Sequence, residues 1–430
     1  MEPRTHAISW NITQRCNLRC AHCYLDAAHR SGRRTEELST EACLRVVDQI
    51  ARVTPGTFLI LTGGEPLLRP DLYEIAAHAA ARGCFVVVGS NGLALTPKAV
   101  RRLQASGVQG VGISLDASEP KVHDAFRGVP GAWEQTVRAA RVLRDEDMPF
   151  LIQTTVTQQN HRDLEAVAEL ACHLGAQALN VYFLVCTGRG QEMTDLSPQA
   201  YEATLERVYA LSRRYGERMW VTAKCAPHFR RVVHRHDPNS PLMKTYQGGC
   251  PAGTHYARIT PAGEVTPCPY IPTVAGSLKQ QDFRAIWADS PLMHSLRQPA
   301  LRERCGVCEY RSVCGGCRAR ALAAKGDLLA DDPWCTHVPQ PRAAPVSLPE
   351  EQTLGAKVRY GMPWTPEARQ RLERVPGFAR SMVVRSVEAF AREQGHTRVT
   401  PELMQEAKAR LIGDGRGIPA FLRRKGMPSP

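Results

Sequence analysis

The chain has 430 residues, a formal net charge of +13 at pH 7 and a hydrophobic content of 43%. This length allows roughly two or three domains. The chain has no apolar run of about 18 residues, the length that a helix needs to cross a membrane, so no transmembrane helix is expected. The basic residues are dispersed, so no nucleic-acid partner is expected. Fifteen cysteines without an export signal predict the reducing cytoplasm and metal ligation instead of disulfides.

The first half of the chain alternates short apolar runs with amphipathic stretches. Strands are predicted at residues 8–13, 58–62, 85–89, 111–115, 150–156 and 178–185. Helices are predicted at residues 71–82, 97–106, 132–144 and 162–174. This alternation indicates an α/β fold with a parallel sheet, whose ligands bind at the carboxyl ends of the strands.

A C-x3-C-x2-C run, the cysteine triad of Cys16, Cys20 and Cys23, follows the first predicted strand. Three thiolates this close can hold three irons of a [4Fe–4S] cube and leave the fourth iron open for a substrate or cofactor. Zinc is the alternative ligand. However, zinc sites usually close with four ligands, and no fourth Cys or paired His stands at zinc-finger spacing.

The triad resembles that of the radical SAM superfamily, whose open iron is chelated by S-adenosylmethionine (SAM). The resemblance implies a partial (β/α)6 TIM-type barrel and a catalytic [4Fe–4S] cluster on the triad. It also implies reductive cleavage of SAM to methionine and a 5′-deoxyadenosyl radical, with a reduced ferredoxin or flavodoxin as electron donor.

Segments after later strands extend this resemblance. Residues 62–66, TGGEP, resemble the family's GGEP motif, which implies that Gly63, Gly64 and Glu65 bind the SAM amino group. Ser114 and Arg127 match segments near the SAM ribose and carboxylate, and a guanidinium suits a carboxylate. Each segment alone is also compatible with ordinary turn chemistry.

The turn Thr187-Gly188-Arg189-Gly190 resembles the corresponding loop in radical SAM enzymes of alternative haem and haem d1 synthesis. Arg189 is therefore a candidate for binding a substrate carboxylate. The alternative is a solvent-exposed arginine in a glycine turn.

A second set of cysteines lies in residues 226–340, which are rich in Cys, Gly and Pro as metal-stapled regions are. This region resembles the SPASM domain, which carries auxiliary [4Fe–4S] clusters. By position, one cluster would be closed by Cys305, Cys308, Cys314 and Cys335. The other would use Cys250, Cys268 and Cys317.

Two departures from the SPASM pattern leave alternatives open. The last cysteine step is x2 where many members have x3, and a cysteine expected between Cys250 and Cys268 is missing. His255 or Cys225 could replace it, an iron could stay open for substrate, or this cluster could be absent. Zinc is a further alternative, on Cys305, Cys308, Cys314 and Cys317.

The C-terminal part is predicted as a linker at residues 341–362, a helical module at 363–412 and a flexible tail at 413–430. Its helices begin at Thr365-Pro366, at Ser381 with a stop at Gly395, and at Thr400-Pro401. The module resembles the small C-terminal domain of a dark-operative protochlorophyllide reductase subunit. By association, that resemblance points to a tetrapyrrole.

Together these resemblances imply a radical SAM enzyme that abstracts hydrogen from an organic substrate. The leading expectation is decarboxylation or trimming of a tetrapyrrole side chain, with one or two auxiliary clusters as electron acceptor or substrate ligand. A maturase of ribosomally made peptides is the alternative, although no winged-helix peptide-recognition segment is seen before the barrel. A third reading is a non-catalytic iron–sulfur or zinc-binding protein.

Overall fold

The computed structural model describes residues 7–27, 36–54, 56–193, 195–216, 218–243, 249–340, 342–348, 358–373, 375 and 379–413. Within these residues the predicted α/β architecture is confirmed, with one ten-stranded sheet. The predicted tail lies outside the described residues apart from Gly413, and so does part of the predicted linker. No helix in the described ranges is long and apolar enough to cross a membrane.

Ten strands form the sheet. They are β1 Ala7–Thr13, β2 Phe58–Gly63, β3 Phe85–Ser90, β4 Val111–Ser114, β5 Phe150–Val156, β6 Ala178–Phe183, β7 Trp220–Lys224, β8 Tyr256–Ile259, β9 Glu264–Thr266 and β10 Gly276–Ser277. Strands β1 to β7 lie side by side in chain order, and all of these neighbours are parallel. Strand β8 pairs parallel to the other edge of β1, and β9 and β10 add antiparallel strands beyond it.

The six strands predicted for the partial barrel are all present. Strands β7 and β8 were not predicted, and they extend the parallel sheet by one strand at each side. Both are only four or five residues long, and polar side chains interrupt their apolar pattern. Such short mixed segments carry little periodicity, so their pairing is decided by the neighbouring strands.

Helices cover one face of the barrel sheet. Their bounds are α1 Thr40–Val53, α2 Leu72–Ala81, α3 Pro97–Ala105, α4 Pro120–Arg127, α5 Ala132–Asp145, α6 Leu164–Leu174, α7 Pro198–Tyr215 and α8 Phe229–His236. The side chains of Ser39, Thr96 and Ser197 accept backbone N–H groups at the starts of α1, α3 and α7. The four predicted helices correspond to α2, α3, α5 and α6.

Side-chain alternation along the strands separates the core from the inner side of the barrel. In β1, Ile8, Trp10 and Ile12 are fully buried in the main hydrophobic core, which the helices cover. Asn11 and Thr13 point to the opposite side, because successive strand residues alternate between faces. Polar side chains therefore line the inner side, beside the loops that follow the strands.

The cysteine-rich region is built directly onto the barrel. Its first strand, β8, pairs with β1 from Ala7 opposite Tyr256 to Trp10 opposite Ile259. Its helices are short, with bounds α9 Phe283–Asp289, α10 Pro291–Arg297, α11 Glu303–Val307 and α12 Arg318–Lys325. Because one sheet runs through both regions, it fixes the position of this region's cysteines relative to the barrel strands.

Three C-terminal helices form a module with its own hydrophobic core. They are α13 Pro366–Glu373, α14 Arg380–Glu393 and α15 Pro401–Gly413. The predicted caps are present: the hydroxyl groups of Thr365 and Thr400 accept N–H groups at 3.2 and 3.3 Å. The predicted stop, Gly395, has a positive φ of 75°, which favours glycine.

A buried carboxylate binds the segment that leads into this module. Glu388, 3% exposed, accepts from the N–H of Gly361 and from the indole N–H of Trp364, each at 2.9 Å. Arg392 also donates to it, at 3.2 Å. Removing the carboxylate would leave the buried indole N–H of Trp364 without an acceptor.

We expect Glu388→Ala to lower the free energy of local unfolding of the module by about 2–3 kcal/mol, because hydrogen bonds to a buried charge are lost. Hydrogen exchange of the full chain should show faster exchange for amides of α14 and α15 and unchanged exchange for β4. Glu406→Ala, which removes an exposed carboxylate of α15, is the matched control and should change little. Equal protection in both variants would contradict the proposed role.

Candidate active site and cysteine clusters

The loop of the cysteine triad leaves the carboxyl end of β1 and lies against the loop after β2. The N–H of Gly64 donates to the carbonyl of Thr13 at 2.8 Å, and that of Glu65 to the carbonyl of Arg15 at 2.7 Å. A Cβ atom on Gly64 would collide with the Arg15 carbonyl, and one on Gly63 with that of Thr13. The two glycines therefore allow a backbone contact that no larger residue permits.

N–H groups point at two of the three sulfur atoms of the triad. The N–H of Leu18 lies 3.4 Å from Cys16 Sγ, and Nη1 of Arg127 lies 3.5 Å from Cys20 Sγ. Burial raises the pKa of Cys16 to about 11 and raises that of Cys20, so the free thiols stay protonated at neutral pH. A bound metal displaces such protons, and N–H donors then stabilise the sulfur charge. These surroundings fit an iron–sulfur cluster.

The side chain of Glu65 is fully buried and connects the loops after β2 and β3. It accepts from the N–H of Asn91 at 2.8 Å, the hydroxyl of Ser90 at 3.0 Å and the N–H of Leu67 at 3.2 Å. Burial raises its pKa to about 7 in spite of these donors. The Asn91 amide lies 2.6 Å from Oδ1 of Asn17 in the triad loop. Glu65 thus braces the site, and its contact with SAM stays a prediction.

Arg127, the last residue of α4, lies between a carboxylate and a thiol. Its Nη2 forms an ion pair with Asp116, and its Nη1 faces Cys20. The side chains of Asp116 and Arg127 are 1% and 8% exposed, and Asp116 also accepts the N–H of Thr155 at 2.8 Å. This buried pair holds α4 against the triad loop. The pairing of Arg127 with the SAM carboxylate stays a prediction.

Arg189, which is distant from the triad in sequence, contacts the triad loop in the structure. Its Nε donates to the carbonyl of Cys20 at 3.1 Å, and its Nη1 to Asp26 Oδ1 at 2.8 Å. Arg189 therefore has partners inside the chain, and its contact with a substrate carboxylate stays a prediction. Ser114, half-buried at the end of β4, lies in register with Gln153 of β5.

Tyrosines and cations occupy the inner side of the barrel. The Tyr24 hydroxyl accepts from Asn11 Nδ2 at 2.9 Å, and its ring centroid lies 5.3 Å from that of Tyr270. Arg258 donates to Asn11 Oδ1 at 2.5 Å, and its guanidinium lies 5.6 Å from the Tyr24 ring centroid. Lys224 ends β7 and is half-buried. This surface combines flat aromatic rings with positive charge.

The other candidate cysteine ligands fall into two groups, and all fifteen cysteines of the chain are free thiols. The outer set lines one small cavity and consists of Cys305, Cys308, Cys314 and Cys335. The inner set packs into one cluster of side chains and consists of Cys225, Cys250, Cys268 and Cys317. Ligation of a cluster by either set stays a prediction.

The spacing of these thiols favours clusters over single zinc ions. A tetrahedral zinc with Zn–S bonds of about 2.3 Å holds its sulfurs roughly 3.8 Å apart. Among the described residues, the one group of three or more Cys, His and acidic side chains with ligand atoms all within 4.8 Å is Cys308, Glu309 and His337. Neither set has three sulfurs that close. A cube binds each thiolate through a different iron and therefore holds its sulfurs farther apart than a single zinc ion does.

Three family models match the chain. The Radical SAM superfamily matches residues 10–171, and the SPASM iron-sulfur cluster-binding domain matches residues 250–317. The Proto-chlorophyllide reductase 57 kD subunit matches residues 364–408. With the relatives described next, these matches show that the chain belongs to the radical SAM superfamily, and it is an enzyme with a SPASM domain.

Among its relatives is the AdoMet-dependent heme synthase of Methanosarcina barkeri, 41% identical over 77% of this chain and 96% of the relative. The Fe-coproporphyrin III synthase of the same organism is 31% identical over 76% of this chain and 87% of the relative. The mycofactocin maturase MftC of Mycobacterium tuberculosis is also 31% identical, over 83% of this chain and 91% of the relative.

Solved structures support the fold. Streptococcus suis SuiB bound to S-adenosylmethionine has a TM-score of 0.62 over 78% of this chain and 78% of its own, at 16% sequence identity. At this identity the similarity concerns the arrangement of the backbone, and it agrees with the partial barrel followed by a cysteine-rich region.

Several residues of these sites were not singled out from the sequence. Lys224 and Arg258 carry no motif, because a lone charged residue in a strand is common, and β7 and β8, which contain them, were not predicted. The signal that could have located Lys224 is its position at the end of a strand, since charged side chains at the carboxyl edge of a parallel sheet face the ligand site.

We expect Arg127→Ala to lower the free energy of unfolding by about 3–5 kcal/mol, because Asp116 is left buried without its partner. Arg138→Ala, which removes an exposed arginine from α5, should change it by less than about 0.5 kcal/mol. Urea unfolding of both variants under anaerobic conditions measures the difference. Similar stability losses in the two variants would show that the buried pair does not hold α4 in place.

Proposed function

We propose that the chain removes carboxylate groups from propionate side chains of an iron tetrapyrrole, as a step of haem-type biosynthesis. The observation that carries this proposal is the 41% identity to an AdoMet-dependent heme synthase along nearly the whole relative. The similarity to an Fe-coproporphyrin III synthase and the C-terminal match to a proto-chlorophyllide reductase subunit support the same substrate class.

The cysteine triad would hold a [4Fe–4S] cluster, and SAM would bind near Gly63, Gly64, Glu65, Ser114 and Arg127. When bound and reduced, these cofactors supply a 5′-deoxyadenosyl radical that takes a hydrogen atom from the substrate. The reducing electron would come from a ferredoxin or flavodoxin. The loops after β1, β2 and β3 meet at the triad, which supports this arrangement.

The proposed reaction balances for each propionate side chain. One hydrogen atom leaves the carbon attached to the ring and ends in 5′-deoxyadenosine. The bond to the carboxylate then breaks, CO₂ leaves, and a vinyl group remains. One electron is left over, so the enzyme needs an oxidised one-electron acceptor. Clusters on the inner and outer thiol sets would supply that acceptor.

The inner side of the barrel has the chemistry that such a substrate needs. Propionate groups are anions, and Arg258 and Lys224 bring positive charge to this surface. The rings of Tyr24, Tyr270 and Tyr182, which pairs with Lys224 across β6 and β7, offer flat contacts for a macrocycle. Arg189 would add a further carboxylate contact beside the triad. This set of residues suits a planar polyanion better than an extended peptide.

A peptide-modifying function is the second candidate, because the mycofactocin maturases are 31% identical over 83% of the chain. The heme synthase is more similar, which favours the tetrapyrrole. Anaerobic incubation with SAM, dithionite and either iron-coproporphyrin III or the peptide substrate of such a maturase separates the two. Loss of CO₂ and two hydrogens from the macrocycle supports our proposal, and a mass change of the peptide alone contradicts it.

We expect Cys16→Ala, Cys20→Ala and Cys23→Ala each to abolish 5′-deoxyadenosine formation, because an incomplete triad cannot hold the cluster that reduces SAM. Liquid chromatography of anaerobic reactions measures this product. The control is Cys172→Ala, a half-buried cysteine of α6 outside the sites, which should keep at least half of the activity. Continued SAM cleavage in the triad variants would refute the radical SAM chemistry.

The two barrel cations allow a separate test of the substrate class. We expect Lys224→Met and Arg258→Met each to weaken binding of iron-coproporphyrin III about 10- to 100-fold, the size of a charge-assisted hydrogen bond. Absorbance titration without SAM measures the Kd. Lys98→Met, at an exposed position of α3, should leave it unchanged. An unchanged Kd in both barrel variants would place the substrate carboxylates elsewhere.

A further inference from the structure

We propose that Cys225 is the fourth protein ligand of an auxiliary [4Fe–4S] cluster held by Cys250, Cys268 and Cys317, so that this cluster is closed. The inference deepens the proposed function, on which it rests. Cys225 lies outside the segment that matches the SPASM domain, residues 250–317. It would therefore supply from the barrel the ligand that the cysteine-rich region lacks.

The position of Cys225 puts its thiol beside the other three. It directly follows β7, the last strand of the barrel, and its side chain packs into the same apolar cluster as Cys250, Cys268 and Cys317. Cys317 is 4% exposed, and Ile271 of this cluster is fully buried. Four thiols, one buried and three half-buried, thus converge in one apolar cluster, as the four ligands of a closed cube do.

The backbone at Cys225 has a strained conformation. Its φ is +55°, in the left-handed region, which costs a residue with a Cβ about 1–2 kcal/mol. Such strain persists where the surroundings impose it, and it clusters at functional sites. Here it turns the chain sharply after β7 and sets the direction of the thiol.

A buried ion pair imposes this conformation and ties Cys225 to Cys317. Arg320 is 2% exposed and donates to the carbonyl of Cys225 at 3.2 Å and to that of Leu184 at 3.1 Å. It also pairs with Asp332 at 3.1 Å, and Asp332 accepts the N–H of Cys317 at 2.9 Å. One pair of charges therefore positions both cysteines, one from the barrel and one from the cysteine-rich region.

A fourth thiolate decides what this cluster can do. With three thiolates, one iron would be open and could bind a substrate carboxylate. With four, no iron is vacant, and the cluster acts as a one-electron acceptor. Tyr182 pairs with Lys224, the neighbour of Cys225, and Tyr270 packs in the same apolar cluster as Cys225 with its ring centroid 5.3 Å from that of Tyr24 near the triad. The cluster would therefore sit next to the surface proposed for the substrate and take the electron left by decarboxylation.

The test uses a full chain whose triad cysteines are replaced by Ala, so that only auxiliary clusters contribute. In this parent we expect about eight irons per chain and no EPR signal of a [3Fe–4S] cluster after mild oxidation. Cys225→Gly removes the thiol and tolerates the positive φ. It should lose about one iron per chain on oxidation and show the [3Fe–4S] signal. Added cyanide should alter the EPR spectrum of the reduced variant and not that of the parent.

Two further variants complete the test. Cys186→Ser changes a half-buried cysteine outside both sets and should behave like the parent. Cys225→Ser keeps a potential oxygen ligand and should shift the EPR spectrum without loss of iron. If Cys225→Gly keeps its iron on oxidation and its EPR spectrum does not change when cyanide is added, the assignment is overturned. If His255→Ala loses an iron on oxidation and Cys225→Gly does not, the fourth ligand is His255 and the assignment is overturned.

The parent protein separates this inference from the function on which it rests. An iron-free or zinc-loaded parent would refute the auxiliary clusters and with them the closed cluster. If the parent holds iron and its EPR spectrum does not change when Cys225 is replaced, only the assignment of Cys225 as the fourth ligand is refuted. The proposed decarboxylation is then unaffected.

Discussion

Backbone contact between the triad loop and the loop after β2 is the constraint on which the site depends. Two N–H groups of the glycine-rich loop bind the carbonyls of Thr13 and Arg15, and this leaves no room for a Cβ on Gly63 or Gly64. Hydrogen bonds of this kind hold a loop in place without side-chain flexibility. The cysteines are therefore positioned by the sheet itself, because both loops leave neighbouring parallel strands.

Buried ionisable side chains extend this constraint to the rest of the molecule. Glu65 connects the loops after β2 and β3, and the Asp116–Arg127 pair holds α4 against Cys20. The Arg320–Asp332 pair joins the end of the barrel to the cysteine-rich region. In a site with little water, breaking such a pair is costly, so each one defines a single local geometry. The same device thus orders both the triad and the inner thiol set.

Much of the fold was predictable because barrel strands and helices have strong periodicity. The β5 range Phe150–Val156 is the predicted one, and α5 and α6 differ from prediction by no more than two residues. Strands β7 and β8 escaped prediction because they are short and depend on β6 and β1 for pairing. The candidate ligands of the triad and SPASM region were recognisable from spacing, since ligand geometry requires close positions in the chain.

What the sequence determined by itself is the chemistry available: a thiol triad after a strand, a glycine pair for close backbone contact, and a second set of cysteines. These depend on residues near one another in the chain. Only the tertiary structure decided that Arg189 contacts the triad loop, that Lys224 and Arg258 share the inner side of the barrel, and that Cys225 joins three thiols from another region. Such contacts join residues far apart in sequence, and they depend on sheet register and on buried charges that no local pattern records.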